Sequence, residues 1–92
     1  MAMQRYVIER EIPGASKMTP EELRDAAGHS NQVLASMGDG IRWDHSYVAG
    51  DKIYCIYSAP NPERVREHAV KGGFPANSVS LISQIIDPST AI

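Results

Sequence analysis

The residues of this 92-residue chain with chemical capability are concentrated between Trp43 and Tyr57, which hold the only Trp, the only Cys, three of the four Tyr and one of the three His. The imidazole of His45 and the thiol of Cys55 form a borderline-to-soft donor pair. Such a pair suits Ni, Cu, Zn or Co better than Mg or Ca. Whether the two meet depends on the strands that carry them. Aromatic and β-branched residues alternate on both sides of Gly50-Asp51, which predicts a β-hairpin from Ile41 to about Ser58. With Ala49-Gly50-Asp51 as a three-residue loop, Val48 faces Lys52, His45 lies opposite Cys55 and Trp43 opposite Tyr57, with Cβ atoms ~5 Å apart. That register gathers Ile41, Trp43, His45, Tyr47, Ile53, Cys55 and Tyr57 on one face and leaves Arg42, Asp44, Ser46 and Lys52 on the other. It is the cleaner segregation and the register expected. A two-residue Gly50-Asp51 loop slips every pair by one and sends Cys55 to the face opposite His45.

Two donors hold a metal weakly, so Glu9 on the first strand, or a group from a second protomer, is expected to complete the set. The competing reading makes Cys55 a buried small hydrophobe and His45 a satisfied polar residue, and no CxxC or HExxH spacing argues against it. A Cys55 thiolate with His45 as base lacks an orienting third group, because Asp44 points to the opposite face of its strand. No nucleophile elbow accompanies the pair. The expectation is a non-enzymatic metal-binding domain. The alternative is a cofactor-independent enzyme or small-ligand carrier, whose mark would be an apolar pocket near Trp43 and Tyr57 with the His45 ring pointing into it.

The elements that must position these groups read in order. Tyr6–Ile12 is a strand closed by Pro13-Gly14, with Glu9 on its polar face. Thr19-Pro20-Glu21-Glu22 combines a cap, a first-turn proline and a capping-box Glu, and opens a helix to Met37. Leu23, Ala26, Ala27, Ser30, Val33, Leu34 and Met37 form its packed face; His29 falls beside that face, partly exposed. After the hairpin, Asn61-Pro62 opens a second helix to about Lys71, stopped by Gly72-Gly73, with Val65, His68 and Ala69 on its inner side and His68 as a boundary residue packing its ring over the sheet. Val79–Ile86 is the last strand. The order βαββαβ is the ferredoxin-like arrangement: an α+β fold with a four-stranded antiparallel sheet and two helices on one face.

The chain, residues 1–92, is read as one domain with a marginal core. Charged residues make up 22% with a net charge of −2 and no basic stripe, which argues against nucleic acid or anionic lipid as partner. No apolar run approaches a membrane span and no leader is expected. A lone Cys suits a reducing, cytoplasmic setting. Two helices cover one sheet face, yet both faces of the last two strands carry apolar residues. A homodimer packed sheet against sheet is therefore expected.

Several segments together resemble the family of small ferredoxin-like domains known as nickel-binding proteins. They are Tyr6-Val7-Ile8-Glu9-Arg10, Trp43-Asp44-His45-Ser46-Tyr47-Val48, Asp51-Lys52-Ile53-Tyr54-Cys55-Ile56-Tyr57, Ala59-Pro60, Gly73-Phe74-Pro75 and Ile86-Asp87-Pro88. The resemblance covers nearly the whole chain. It implies a dimer of ferredoxin-like subunits with nickel as the metal, and Glu9, His45, Tyr47 and Cys55 as the positions through which the family's site carries over.

Overall fold

The computed structural model describes residues 2–92. Strand β1 (Gln4–Glu11) leads through a 3₁₀ turn at Ala15–Lys17 into helix α1 (Pro20–Met37); β2 (Arg42–Ala49) and β3 (Lys52–Ala59) follow, then helix α2 (Pro62–Gly72) and β4 (Ser78–Leu81). All strand pairs are antiparallel and the sheet order is β2-β3-β1-β4. The ferredoxin-like α+β fold expected from the element order is the one observed.

Both helices begin as their sequences dictate. The Thr19 hydroxyl accepts from the Glu22 amide and the Glu22 carboxylate accepts from the Thr19 amide, closing the capping box ahead of Pro20. Asn61 accepts from the Arg64 amide ahead of Pro62, and α2 ends where Gly73 turns left-handed at φ 70°. Their inward residues cover one face of the sheet, around a core of Tyr6, Ile8, Cys55, Tyr57, Ala59 and Val65, with Leu34, Trp43 and Ile53 packed against it.

The hairpin register differs from the expected one. The turn has two residues: Ala49 pairs with Lys52, Tyr47 with Tyr54, Ser46 with Cys55 and His45 with Ile56. Gly50 has φ 60° and Asp51 does not share the positive φ, which is the type II′ pattern with glycine first, suited to the right-handed twist of paired strands. A bulge then inserts Asp44, so Trp43 still pairs with Tyr57 and Arg42 with Ser58. The expected register therefore holds below the bulge and fails above it. Asp44 is tied across three strands: it accepts from Arg42 Nε at 2.7 Å and Ser58 Oγ at 3.0 Å, and lies 3.5 Å from Arg5 Nε. Burial acts to raise its pKa, but those bonds and charges outweigh it and hold the carboxyl below its ordinary value.

The last strand is also shorter than expected. β4 pairs with β1 only from Ser78 to Leu81, and one further bond joins the Ile82 amide to the Arg5 carbonyl. Beyond that point β1 has almost no residues left to pair with. The apolar positions moreover switch parity between Leu81 and Ile82, so no period-2 face continues; Ile85 and Ile86 stand exposed.

Candidate functional site

The four residues expected at one metal site lie in two places. On the outer sheet face, away from the helices, His45 and Tyr47 project from β2 two residues apart, with His45 Nε2 3.0 Å from Tyr47 Oη and the rings edge to face at 5.0 Å. Both are exposed. Glu9 shares this face but sits opposite Tyr54, which in turn sits opposite Tyr47. Two strand spacings, roughly 9–10 Å, therefore separate the Glu9 and Tyr47 backbones, and the Glu9 carboxylate is engaged by Lys52 Nζ. Cys55, paired with Ser46, points to the other side and is buried. Among the described residues no three His, Cys, Asp or Glu side chains converge as a metal site. Within one chain, this donor set does not fit a nickel ion.

The inner face holds a different arrangement. Here α1 stands off the β1-β3-β2 side of the sheet and leaves a cavity of about 290 Å³. Its walls are apolar: Leu23, Ala26 and Ala27 from α1, and Trp43, Val48, Ile53 and Tyr57 from the sheet. At one side lies Arg10, only 4% exposed. Its Nε donates to Cys55 Sγ at 3.4 Å, its Nη1 donates to the Pro75 carbonyl at 2.6 Å, and the guanidinium carbon lies 5.2 Å from the Phe74 ring centre. The Phe74 ring fills the space that a Cβ at residue 72 would occupy, so Gly72 is required for its position.

Behind the cavity, Ser30 Oγ lies 3.5 Å from Tyr57 Oη and 3.2 Å from His68 Nε2. The His68 ring, fully buried, stacks on Phe74 at 5.3 Å, and its Nδ1 has no hydrogen-bond partner among the described residues. Burial, then the positive charge of Arg10, pushes its pKa down to about 4. Burial likewise raises the Tyr57 phenol. His68 is thus a neutral core residue, more deeply buried than the expected boundary position. His29, exposed on α1, bonds the Gly72 carbonyl at 2.9 Å.

Arg10 was absent from the sequence-based expectation. Its signal was strand parity, since Tyr6, Ile8 and Arg10 occupy alternate positions and the first two read as core. A charged residue in that phase marks an inward polar group.

The model of a family described as nickel-responsive proteins like SCO4226 matches residues 6–82. The chain belongs to that family. The crystal structure of SCO4226 from Streptomyces coelicolor A3(2) is similar to this one with a TM-score of 0.71, covering 89% of this chain and 99% of that one at 19% identity, a likeness that establishes the shared fold. No curated protein matches the sequence. The family description attaches nickel responsiveness to the group as a whole. No helix among the described residues is long and apolar enough to cross a membrane.

Proposed function

We propose that this member of the nickel-responsive family is a non-enzymatic homodimer that binds nickel on its outer sheet face, with His45 as the principal donor, Tyr47 beside it, and a second His45 brought up by the two-fold-related protomer. The observation that carries the reading is the position of the His45 ring. Of the three histidines, one is buried in the core and one bonds a backbone carbonyl; His45 alone stands exposed on the sheet face that no helix covers. Imidazole is a ligand suited to nickel. A donor set too small in one chain becomes adequate when an isologous interface doubles it. The same face carries Arg5, Arg42 and Lys52 with Glu9, Glu11 and Asp44 around Val7, Tyr54 and Ile56, a balanced pattern that is complementary to itself in a two-fold pairing. Cys55 takes no part, because the sheet lies between it and His45.

Calorimetric titration with Ni²⁺ and light scattering, on wild type, His45→Ala and Cys55→Ser, test this directly. The expected result is a dimeric mass and metal binding that survives Cys55→Ser and disappears in His45→Ala. A monomeric mass, or the absence of micromolar binding, would defeat it.

A second reading, a small-ligand carrier, is supported by the apolar cavity beside Trp43 and Tyr57. His45 lies on the opposite face from that cavity, so a base at His45 has no route to a ligand held there, and carriage is favoured over catalysis.

A further inference from the structure

We propose that the cavity between α1 and the sheet binds a small apolar molecule bearing one carboxylate, seated on the guanidinium of Arg10. The inference rests on the ligand-carrier reading and adds the chemical class of the ligand.

A guanidinium stays charged under all physiological conditions. Burying it is unfavourable unless an anion offsets the lost hydration. Arg10 is buried, yet none of the ion pairs among the described residues includes it. Its contacts are a sulfur, a neutral carbonyl, an aromatic face and the neutral phenol of Tyr57. A sulfur is a weak acceptor and a carbonyl carries no net charge. Nη2 has no protein acceptor among the described residues, and the side chain lines the cavity. The missing counter-charge is therefore supplied most directly from the cavity itself. Pro75 and Phe74 meanwhile hold the guanidinium plane fixed, which suits the two-pronged recognition of a carboxylate.

The rest of the wall sets the body of the ligand. Leu23, Ala27, Val48, Ile53 and Trp43 offer only apolar contact, and Arg10 is the one cation in the lining. A single cation in an apolar wall matches a monoanion better than a doubly charged phosphate. The volume of about 290 Å³ compares with the roughly 150 Å³ that accommodates benzene in an engineered apolar cavity. A six-membered ring with a short acidic chain fills it.

The probes are 3-phenylpropionate, its neutral analogue 3-phenyl-1-propanol and the cation 3-phenylpropylamine, titrated calorimetrically into the full chain and followed by the fluorescence of Trp43, the only tryptophan and part of the cavity wall. The acid is expected to bind about tenfold or more tighter than the alcohol, as one charged hydrogen-bonding contact implies, and the amine not to bind. Arg10→Met should erase the preference for the acid, and Ala27→Phe, which fills the cavity from the helix side, should abolish binding of both. Equal affinity of wild type for acid and alcohol would overturn the carboxylate assignment while leaving the carrier reading in place. No binding of any probe to wild type would overturn both. The comparison of the three probes needs only the wild-type chain, so it decides even if Arg10→Met fails to fold.

Discussion

The two faces of this sheet are built from the same strands but present opposite chemistry. The inner face buries Tyr6, Ile8, Cys55 and Tyr57 under the helices, and the polar groups enclosed there, Arg10 from β1, Ser30 from α1 and His68 from α2, are fixed by contacts to one another or to Phe74 and Pro75. The outer face leaves His45 and Tyr47 exposed and satisfies its charges by neighbouring pairs such as Lys52 with Glu9. The difference underlies the two binding proposals. Enclosed, pre-positioned polar groups suit a small molecule that comes to the protein as it is. An exposed imidazole on an open surface suits a metal ion whose remaining donors arrive with a second protomer.

A pair of tyrosine truncations gives the largest contrast. Tyr57 is 2% exposed at the centre of the core, and Tyr47 is 59% exposed on the outer face. Tyr57→Ala is expected to cost about 3–5 kcal/mol, the range for large buried aromatics. Tyr47→Ala should stay within about 0.5 kcal/mol at protein concentrations too low for association. Urea unfolding of the two variants measures both; similar losses would mean that the faces are not distinct in packing.

Acid should weaken the inner face through His68. Its folded pKa of about 4 lies below the ordinary value of 6.5, so between those values the unfolded chain takes up a proton that the folded chain refuses. Stability therefore falls as the pH drops through this window, by about 3 kcal/mol in all. His68→Leu should remove that component of the pH dependence. Unfolding midpoints at pH 7 and pH 4.5 for both proteins supply the check, and identical acid sensitivity in the variant would place the titrating group elsewhere.

Much of this was legible in the sequence. Cap residues at Thr19 and Asn61 and the period-2 and helical patterns marked the elements, and their order marked the fold. The faces were harder. Gly50-Asp51 carries the type II′ signature of a two-residue turn, but the cleanest apolar segregation favours three residues, because the hairpin contains a bulge that nothing in the pattern announces. Asp44 is one polar residue among alternating ones, and its partners Ser58 and Arg5 come from strands distant in the sequence. β4 ends earlier than its sequence predicts for a related reason: Ile82, Ile85 and Ile86 have strand-forming side chains, but a strand also needs a partner, and β1 stops supplying one at Arg5. Arg10 shows the converse, since its phase with Tyr6 and Ile8 was visible while the cavity it faces arises only when α1 stands away from the sheet.

The bulge is where the two faces are set relative to each other, and Asp44→Ala tests how firmly. The substitution removes the acceptor shared by Arg42 and Ser58 and the charge facing Arg5. Arg42 Nη2 already donates to Ser58 Oγ at 3.2 Å, so the hydroxyl oxygen keeps one partner and only its O–H is left without an acceptor. The loss should therefore be modest, about 1–2 kcal/mol. Because the Asp44 carboxyl is held below its ordinary pKa, its stabilisation is present at neutral pH and lost as acid protonates it. The gap between wild type and variant should then close at low pH, below the window in which His68 acts. The variant also asks whether the carboxylate causes the bulge or only decorates it. If the II′ turn above and the Trp43–Tyr57 pair below already impose the extra residue, cross-strand amide contacts measured by NMR will still place His45 opposite Ile56 and Trp43 opposite Tyr57. If those contacts shift by one residue, the side chain of Asp44 is what keeps His45 on the outer face and Trp43 on the inner.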